Sequence, residues 1–541
     1  MMRDATDGHD TAPAQEAAWW RHAVIYQIFT PSFRDADGDG WGDLAGIIEG
    51  VDHLARLGVG AVWLTPIYPS PLQDAGYDIA DFTDVGRKFG SLATFDRLLA
   101  ALHARGIRLI LDLVPNHTSD RHPWFVESRS SRRSPKRDWY VWADPAPGGQ
   151  PPNNWLSRFG GPAWTLDPAT GQCYYHAFLP GQPDLNWRCP ALRAAMHDAM
   201  RFWLRRGVDG FRVDAAAVLA EDAALRDEPP NPDFTGDTPP PERFRRTRTD
   251  AQPVTLDYLA ELRRVADEFP GRVLLGEVDT APDRLPAFYG GSTPRLHLPL
   301  NYRLIDVPWK ADAVARTVQD FLDALPDGAW PDWVLGSHDK PRLASRVGPE
   351  QARVAAMLLL SLPGTPILYA GDEIGMPDVP VPAEQAQDPF ERCVPGYGLS
   401  RDPFRSPLRW EPGPRGGFTT GEPWLAMGAL PDACSVAAQE SDADSLLALT
   451  RRLIALRRER SDLRAGRYRR LLSEGGVFAF ARWGGGTGCT VILNLTASIV
   501  TPDLSCRGRV LASARPGREG ERVEGPVRLG PHDGLIVGDE G

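Results

Sequence analysis

Apolar residues along this chain fall into two alternating rhythms. Short continuous runs, such as those over 61–64 and 108–114, lie between longer stretches with apolar positions three and four apart, as at Ile47, Ile48, Val51, Leu54 and Leu57. A short run bounded by turn residues predicts a strand buried on both faces; the wider spacing predicts an amphipathic helix. The pattern predicts a strand over 24–33, a helix over 45–57, a strand over 61–64, a helix over 91–103 and a strand over 108–114. Ser91 is the expected N-cap of that second helix and Gly106 its stop. The rhythm resumes with a helix over 191–204 and a strand over 210–214. Helices over 255–269, 311–325 and 351–362 then alternate with strands over 273–278, 296–300, 333–335 and 366–369. Eight strands with helices between them fit a closed parallel barrel better than an open sheet.

Two stretches break the rhythm. The segment 118–187 is rich in Pro, Gly, Trp and charge, and is too long for a structureless loop. It reads as an inserted subdomain. A second irregular region covers 377–439, followed by a helix over 442–459. Beyond Gly466 the apolar runs become short and are separated by glycine-rich turns. The expected fold is therefore an α/β (β/α)8 TIM barrel with an inserted subdomain after strand 3 and a C-terminal antiparallel β domain. Its expected divisions are a disordered tail over 1–17, the barrel over 18–117 and 188–459, the insertion over 118–187 and the β domain over 460–541.

Composition narrows the function. The chain has 541 residues, of which 42% are hydrophobic and 24% charged, with a net charge of −11. That is ordinary for a soluble globular protein. The basic cluster over 129–137 reads as a polar loop, and that over 451–470 as the solvated face of a helix, so nucleic acid is not an expected partner. No apolar run reaches membrane-spanning length, and the first 17 residues lack the apolar stretch of a signal peptide. Six cysteines without a C-x-x-C pair point to neither a zinc site nor a disulfide framework. These features predict a cytoplasmic protein with no membrane partner. Seventeen tryptophans are compatible with sugar-binding aromatic surfaces as well as with a large core.

The candidate chemistry lies at the strand ends. Asp112, Asp214, Glu277 and Asp339 each end a predicted strand, and His117 and His338 lie close by. Arg212 and Asp214, two apart on a strand, point to one face, where the arginine holds the carboxylate ionised. Singly, each would be an ordinary ion pair or cap. In a closed barrel the C-terminal strand ends share one face, and catalytic groups collect there. The histidines lack the i, i+4 spacing of a metal helix. Cleavage of a glycosidic bond explains the crowd better. It needs one carboxylic acid to protonate the leaving oxygen and one carboxylate to meet the cation-like sugar.

Five motifs then identify a resemblance. They are Asp112-Leu113-Val114-Pro115-Asn116-His117, Gln182-Pro183-Asp184-Leu185-Asn186, Gly210-Phe211-Arg212-Val213-Asp214, Gly276-Glu277-Val278 and His338-Asp339. In this order they resemble the α-amylase superfamily (glycoside hydrolase family 13), and within it the α-glucosidase and oligo-1,6-glucosidase branch. The resemblance runs from about residue 19 to the C-terminus. It implies Asp214 as nucleophile, Glu277 as general acid/base and Asp339 as a sugar-holding carboxylate. It implies Arg212 as the partner of Asp214, His117 and His338 as hydroxyl ligands, and Tyr77 as the stacking platform. Asp74 and Arg405 would close the pocket on the nonreducing end, although Ser406, Leu408 and Arg409 depart from the usual motif beside Arg405. Ser337 stands where the branch usually has Asn.

The loop Asp35 to Asp43 alternates carboxylates with glycines. It begins like an EF-hand, but Gly46 stands where that motif has its bidentate Glu. The resemblance implies a structural divalent cation, Ca2+ or Mg2+, held by Asp35, Asp37, Asp39, Asp43 and the carbonyl of Trp41. Ala215, the small residue after the nucleophile, goes with α-1,4 linkages in this branch. The implied activity is a retaining α-glucosidase acting on short α-glucosides such as maltose, as a monomer or homodimer. A transglucosylase or isomerase of the same family, of the trehalose synthase or sucrose phosphorylase type, is the first alternative. An inactive sugar-binding or chaperone-type relative is the second.

Overall fold

Strand length and burial set the architecture of this computed structural model, which describes residues 18–278, 280 and 283–539. The expected tail over 1–17 lies outside them. The first three strands are β1 (Ile25–Ile28), β2 (Ala61–Leu64) and β3 (Arg108–Leu113). A separate antiparallel sheet follows, with β4 (Trp142–Ala143), β5 (Trp164–Asp167) and β6 (Gln172–Tyr175) in the order β4-β6-β5. The parallel series then continues with β7 (Gly210–Val213), β8 (Val273–Gly276), β9 (Leu298–Pro299), β10 (Asp332–Val334) and β11 (Thr365–Tyr369). Neighbours run β10-β11-β1-β2-β3-β7-β8-β9, a nearly closed eight-stranded barrel. At the seam between β9 and β10, the Asn301 N–H donates to Asp332 Oδ1 at 2.9 Å.

Side-chain alternation divides the barrel into an inside and an outside. Ile25, Ala61, Trp63, Ile110, Leu275, Leu298, Val334 and Ile367 pack together as the interior. Their strand neighbours Tyr26, Val62, Leu109, Leu111, Phe211 and Leu274 belong to the larger core shared with the helices. Because side chains repeat every second residue, the interior positions one step nearer the C-terminal end are also fixed. They include Gln27, Asp112 and Glu277, so the apolar floor gives way to a polar layer. Register completes the arrangement: β3 pairs with β7 so that Asp112 lies opposite Arg212.

The helices that wrap the barrel start and stop where their end residues dictate. The Asp43 side chain accepts the Gly46 N–H to begin Leu44–Leu57, and Gly58, at φ 87°, ends it. Ser91 caps Leu92–His103 by accepting the Thr94 N–H. Three expectations are corrected. The strand expected over 24–33 ends at Ile28, because Pro31 sits in a 3-10 turn, Thr30–Ser32. The helix expected from 442 begins at Leu446, capped by Ser445, after a separate helix Val436–Glu440. The basic run over 451–470 is not one solvated helix face. Arg457 is buried and donates to the carbonyls of Leu360, Leu362 and Gly364, and the last arginines lie on a strand.

That strand opens the C-terminal sheet: β12 (Arg467–Glu474), β13 (Val477–Gly484), β14 (Thr487–Asn494), β15 (Ser505–Ser513), β16 (Arg522–Pro526) and β17 (Gly534–Asp539). All its ladders are antiparallel, in the order β12-β13-β14-β17-β15-β16. Edge strands β12 and β16 carry charged residues instead of an apolar run, which hid them from the hydrophobic pattern. No helix of the described residues is long and apolar enough to cross a membrane.

Candidate active site

The polar layer above the barrel floor is built around one guanidinium. Arg212 is fully buried. Its Nη1 binds Asp214 Oδ1 at 2.6 Å and Asp112 Oδ2 at 3.1 Å, and its Nη2 binds Glu277 Oε2 at 2.7 Å. A planar arginine fork can hold carboxylates in two directions at once, which an ammonium cannot. Three carboxylates therefore share one cation. Burial pushes the Asp214 carboxyl well above its usual range; Arg212 pulls it back, while Glu277, Asp112 and Asp339 push it further up. Asp112 is raised to about 6, chiefly by burial and against the pull of Arg212. Such a cluster retains a proton near neutrality instead of ionising completely.

Backbone geometry fixes the two flanking acids. Directly after Asp214, Ala215 adopts φ 47°, a left-handed turn that side-chain-bearing residues seldom make. The turn aims the Ala215 N–H at Glu277 Oε2, 3.2 Å away, and the next N–H, of Ala216, at the Glu277 carbonyl at 3.1 Å. The ends of β7 and β8 are thus tied to each other through the residues that carry the two acids.

Asp339 sits on the other side under different control. Burial alone would raise its carboxyl, but the electrostatic pull of His338, Arg401 and Arg405 outweighs it and holds Asp339 well below the usual range. Arg405 Nη2 lies 2.7 Å from Asp339 Oδ1 and Arg401 Nη1 lies 3.3 Å from it. The Ser337 hydroxyl accepts the Asp339 N–H at 3.2 Å. Asp339 is thus the firmly ionised member of the set.

Neutral groups fill the wall between. Burial depresses His117 to about 4, against the opposing charge of Asp74. It also holds His338 well below its ordinary value. Both rings are therefore uncharged at neutral pH. With the Gln27 amide donating to His338 Nδ1 (2.7 Å), the proton lies on Nε2, which faces the Tyr77 oxygen at 2.8 Å. The Tyr77 hydroxyl donates in turn to Asp112 Oδ2 at 2.8 Å, and its ring lies parallel to that of His338. His117 Nε2 and Asp74 Oδ2 meet the same amide, Gln182 Nε2, at 3.1 and 3.2 Å. Gln182 belongs to the motif recognised in the inserted segment, which reaches the site through this contact.

The ion pair at Asp74 comes from a residue the sequence did not single out. Asp74 is bound by Arg401, at 2.8 Å, and not by Arg405. The 3-10 turn Asp402–Phe404 separates the two arginines and brings both to Asp339, so that Arg401 alone continues to Asp74. Asp388 holds Arg401 in place at 2.7 Å. Neither Arg401 nor Asp388 stood out in the sequence, because both lie in the irregular region over 377–439. The available signal was a second arginine four residues before Arg405.

The acidic loop lies apart from this cluster. Asp35, Asp37 and Asp39 bring carboxylate oxygens within 4.8 Å of one another. Asp35 accepts N–H groups from Asp37, Gly38 and Gly40 and the Thr419 hydroxyl. Burial and the charges of Asp39, Asp43 and Asp35 raise Asp37. Asp43 spends both oxygens on backbone, accepting from Gly46 and Ala36 at 2.7 and 3.0 Å. Crowded carboxylates are the donor set of a hard oxygen-seeking cation. Asp35, which accepts two hydrogen bonds on each oxygen, and Asp43, which accepts one on each, are less open to a cation than Asp37 and Asp39.

The description "Alpha amylase, catalytic domain" fits residues 27–466. A probable α-glucosidase of Rhizobium meliloti (strain 1021) is 40% identical over 503 residues, covering 90% of this chain and 91% of that protein. An oligo-1,6-glucosidase of Parageobacillus thermoglucosidasius is 34% identical over 523 residues, covering 89% and 91%. Among solved structures, the α-glucosyl transfer enzyme XgtA superposes with a TM-score of 0.90 at 38% identity, covering 96% of this chain and 99% of its own. With the family description spanning most of the chain and relatives matching it nearly end to end, the chain belongs to the α-amylase family of glycoside hydrolases, in the branch of the α-glucosidases and oligo-1,6-glucosidases.

Proposed function

We propose that this protein is a retaining α-glucosidase that releases glucose from the nonreducing end of short α-glucosides, α-1,4-linked ones such as maltose in particular. The observation that carries the reading is the single Arg212 fork on Asp214 and Glu277, at 2.6 and 2.7 Å. Holding both carboxyls on one guanidinium suits the ~5–5.5 Å separation of a retaining pair better than a gap wide enough for an intervening water. Asp214 attacks the anomeric carbon as a carboxylate. The bond to the leaving oxygen breaks as Glu277, the general acid, delivers a proton to it. Glu277, now ionised, takes a proton from water, which displaces Asp214 and frees glucose. Asp339 stays ionised beside Arg401 and Arg405. There it binds ring hydroxyls and favours the flattened, cation-like sugar. Neutral His117 and His338 line the pocket as uncharged polar rings, and Tyr77 offers an aromatic face. The Asp74–Arg401 pair closes the far end of the pocket, which favours removal of one terminal glucose over internal cleavage.

A bound divalent cation, Ca2+ or Mg2+, would be held by Asp35, Asp37 and Asp39, with Asp43 and the Trp41 carbonyl completing the set. Its chemistry there is structural: it neutralises the loop and pins it. The six cysteines are all free thiols, which supports a cytoplasmic location.

Transfer of glucose to a second sugar is the other reading, favoured by the likeness to XgtA. Both use the same glucosyl-enzyme and differ only in what attacks it. Incubating the purified protein with maltose at low and high concentration decides between them. Glucose alone at both concentrations supports hydrolysis. Trisaccharide at high concentration supports transfer, and trehalose would support an isomerase. No product from maltose, isomaltose or sucrose would refute the enzyme reading.

A further inference from the structure

A half-buried tryptophan of the irregular region, Trp424, joins the acidic loop to the active site. Its backbone N–H donates to the Gly40 carbonyl at 3.0 Å, which fixes it to the loop. Gly40, at φ 92°, allows that approach, since a Cβ there would collide with the Glu422 carbonyl. At the far end of the side chain, the Trp424 indole N–H donates to the Ser32 hydroxyl at 3.1 Å. That hydroxyl donates onward to the Arg405 carbonyl at 2.5 Å. The Arg405 guanidinium in turn donates to the His338 carbonyl at 3.0 Å and to Asp339 Oδ1 at 2.7 Å. Hydrogen bonds thus run without a gap from the loop to Asp339. The rings follow the same route. Trp424 lies 6.0 Å from Phe29 between ring centres, and Phe29 stacks on His338 at 5.5 Å. The Arg405 guanidinium lies 5.0 Å from the centre of the Phe29 ring. Phe29, Ser32, His338 and Arg405 are all buried, so close packing leaves little slack to absorb a shift along the route.

Resting on the glycosidase reading above, we infer that Trp424 is a positioning residue for Asp339. It acts through Ser32 and Arg405, not by contact with the sugar. A serine hydroxyl is free to rotate and can point its proton in several directions. Accepting the indole N–H occupies one lone pair of Ser32 and turns its proton onto the Arg405 carbonyl. The backbone of Arg405 is thereby held, and with it the point at which the guanidinium meets Asp339. Asp339 favours the flattened sugar, which forms only on the way to the transition state. Loosening Arg405 therefore slows the chemistry more than it weakens substrate binding.

The experiment measures kcat and KM for an aryl α-glucoside with the full-length wild type, Trp424→Phe, Ser32→Ala and the double variant, each beside a thermal melt. Trp424→Phe keeps a ring against Phe29 and Trp41 and removes the N–H. It is expected to lower kcat about 5-fold, the worth of one hydrogen bond, with KM within about twofold of wild type. Ser32→Ala removes both bonds of the hydroxyl and should lower kcat about 10-fold. The double variant should be no slower than Ser32→Ala alone, because without the hydroxyl the indole N–H has nothing to orient. Losses that multiply in the double variant overturn the proposal. So does an unchanged kcat in either single variant, or a raised KM with kcat intact. A kcat loss that disappears when the assay is run well below the variant's melting temperature assigns Trp424 to stability and overturns it too. A wild type without turnover sinks the glycosidase reading and this inference with it; a loss confined to the variants cannot be mistaken for that result.

Discussion

Carboxylates crowd together in two regions of this molecule, and each region tolerates the crowding differently. At the strand ends, Asp112, Asp214 and Glu277 share the buried Arg212, while Asp339 leans on Arg401 and Arg405. In the loop, Asp35 and Asp43 are buried, while Asp37 and Asp39 are exposed. Their charge is met by backbone N–H groups and, at Asp39, by Lys88 at 2.5 Å. A buried carboxylate needs a fixed cation or a proton, and fixed cations cannot be exchanged. An exposed one can take whatever cation arrives. The first arrangement suits catalysis, which needs a charge pattern that does not relax. The second suits reversible ion binding.

The largest break in this comparison is Asp214→Asn. It leaves the fold and Arg212 in place but removes the attacking oxygen, so kcat should fall about 10^4-fold or more. Turnover of an aryl α-glucoside, read beside a thermal melt, checks it. Near-wild-type activity would refute the nucleophile assignment. Arg212→Met goes further into the structure. It leaves three carboxylates without their cation and should cost about 3–5 kcal/mol of stability in urea unfolding. The loss should shrink in acid, where those carboxyls are neutral. A loss that ignores pH would mean packing, and not charge, is what Arg212 contributes.

Opposite pH slopes sharpen the contrast. The Asp112 carboxyl is raised to about 6, chiefly by burial. The folded state then binds the proton more tightly than the unfolded chain, so stability falls as pH rises from about 4 to 6. Asp112→Asn should remove that decline, moving the melting difference in the variant's favour between pH 4 and pH 7. Asp35 is the reverse case. Burial pushes it up, but the Thr419 hydroxyl and the N–H groups of Gly40 and Gly38 prevail and hold it below its usual value. Its stabilisation is present above the unfolded pKa and is lost as pH falls. Asp35→Asn should therefore cost most at neutral pH and least in acid. Parallel slopes for the two variants would contradict the contrast.

The strand-end acids were legible in the sequence because strand periodicity decides which residues face inward, and each acid ends an apolar run. The barrel was legible for the same reason. What escaped was contact made by irregular chain. Arg401 acts through a loop between Asp388 and a 3-10 turn, where no periodicity says which way a side chain points. Arg405 stands out because its motif is recognisable, while the turn Asp402–Phe404 gives the contact with Asp74 to Arg401. Edge strands β12 and β16 escaped because half-exposed strands need no apolar run. In the acidic loop, spacing alone could not show that Asp43 is also the cap of a helix.

The smallest effect tests the loop's side of the comparison. Lys88 lies 2.5 Å from Asp39 and 5.9 Å from the ring centre of Trp41. Both partners are about one-third exposed, so the pair is worth about 1 kcal/mol or less. Lys88→Met should lower the melting temperature only slightly in the absence of added cation, where Arg212→Met costs several times more. The same substitution removes a like charge next to the carboxylates that would hold Ca2+. One unit charge at about 4 Å in water is worth about 1 kcal/mol, or roughly fivefold in affinity. Calorimetric titration with Ca2+ should therefore show tighter binding in Lys88→Met than in wild type, and none in Asp37→Asn. The cation should also restore the melting temperature that Lys88→Met lost. If Ca2+ affinity is the same with and without Lys88, Asp39 is not a ligand, and the loop's carboxylates are balanced by lysine and backbone alone.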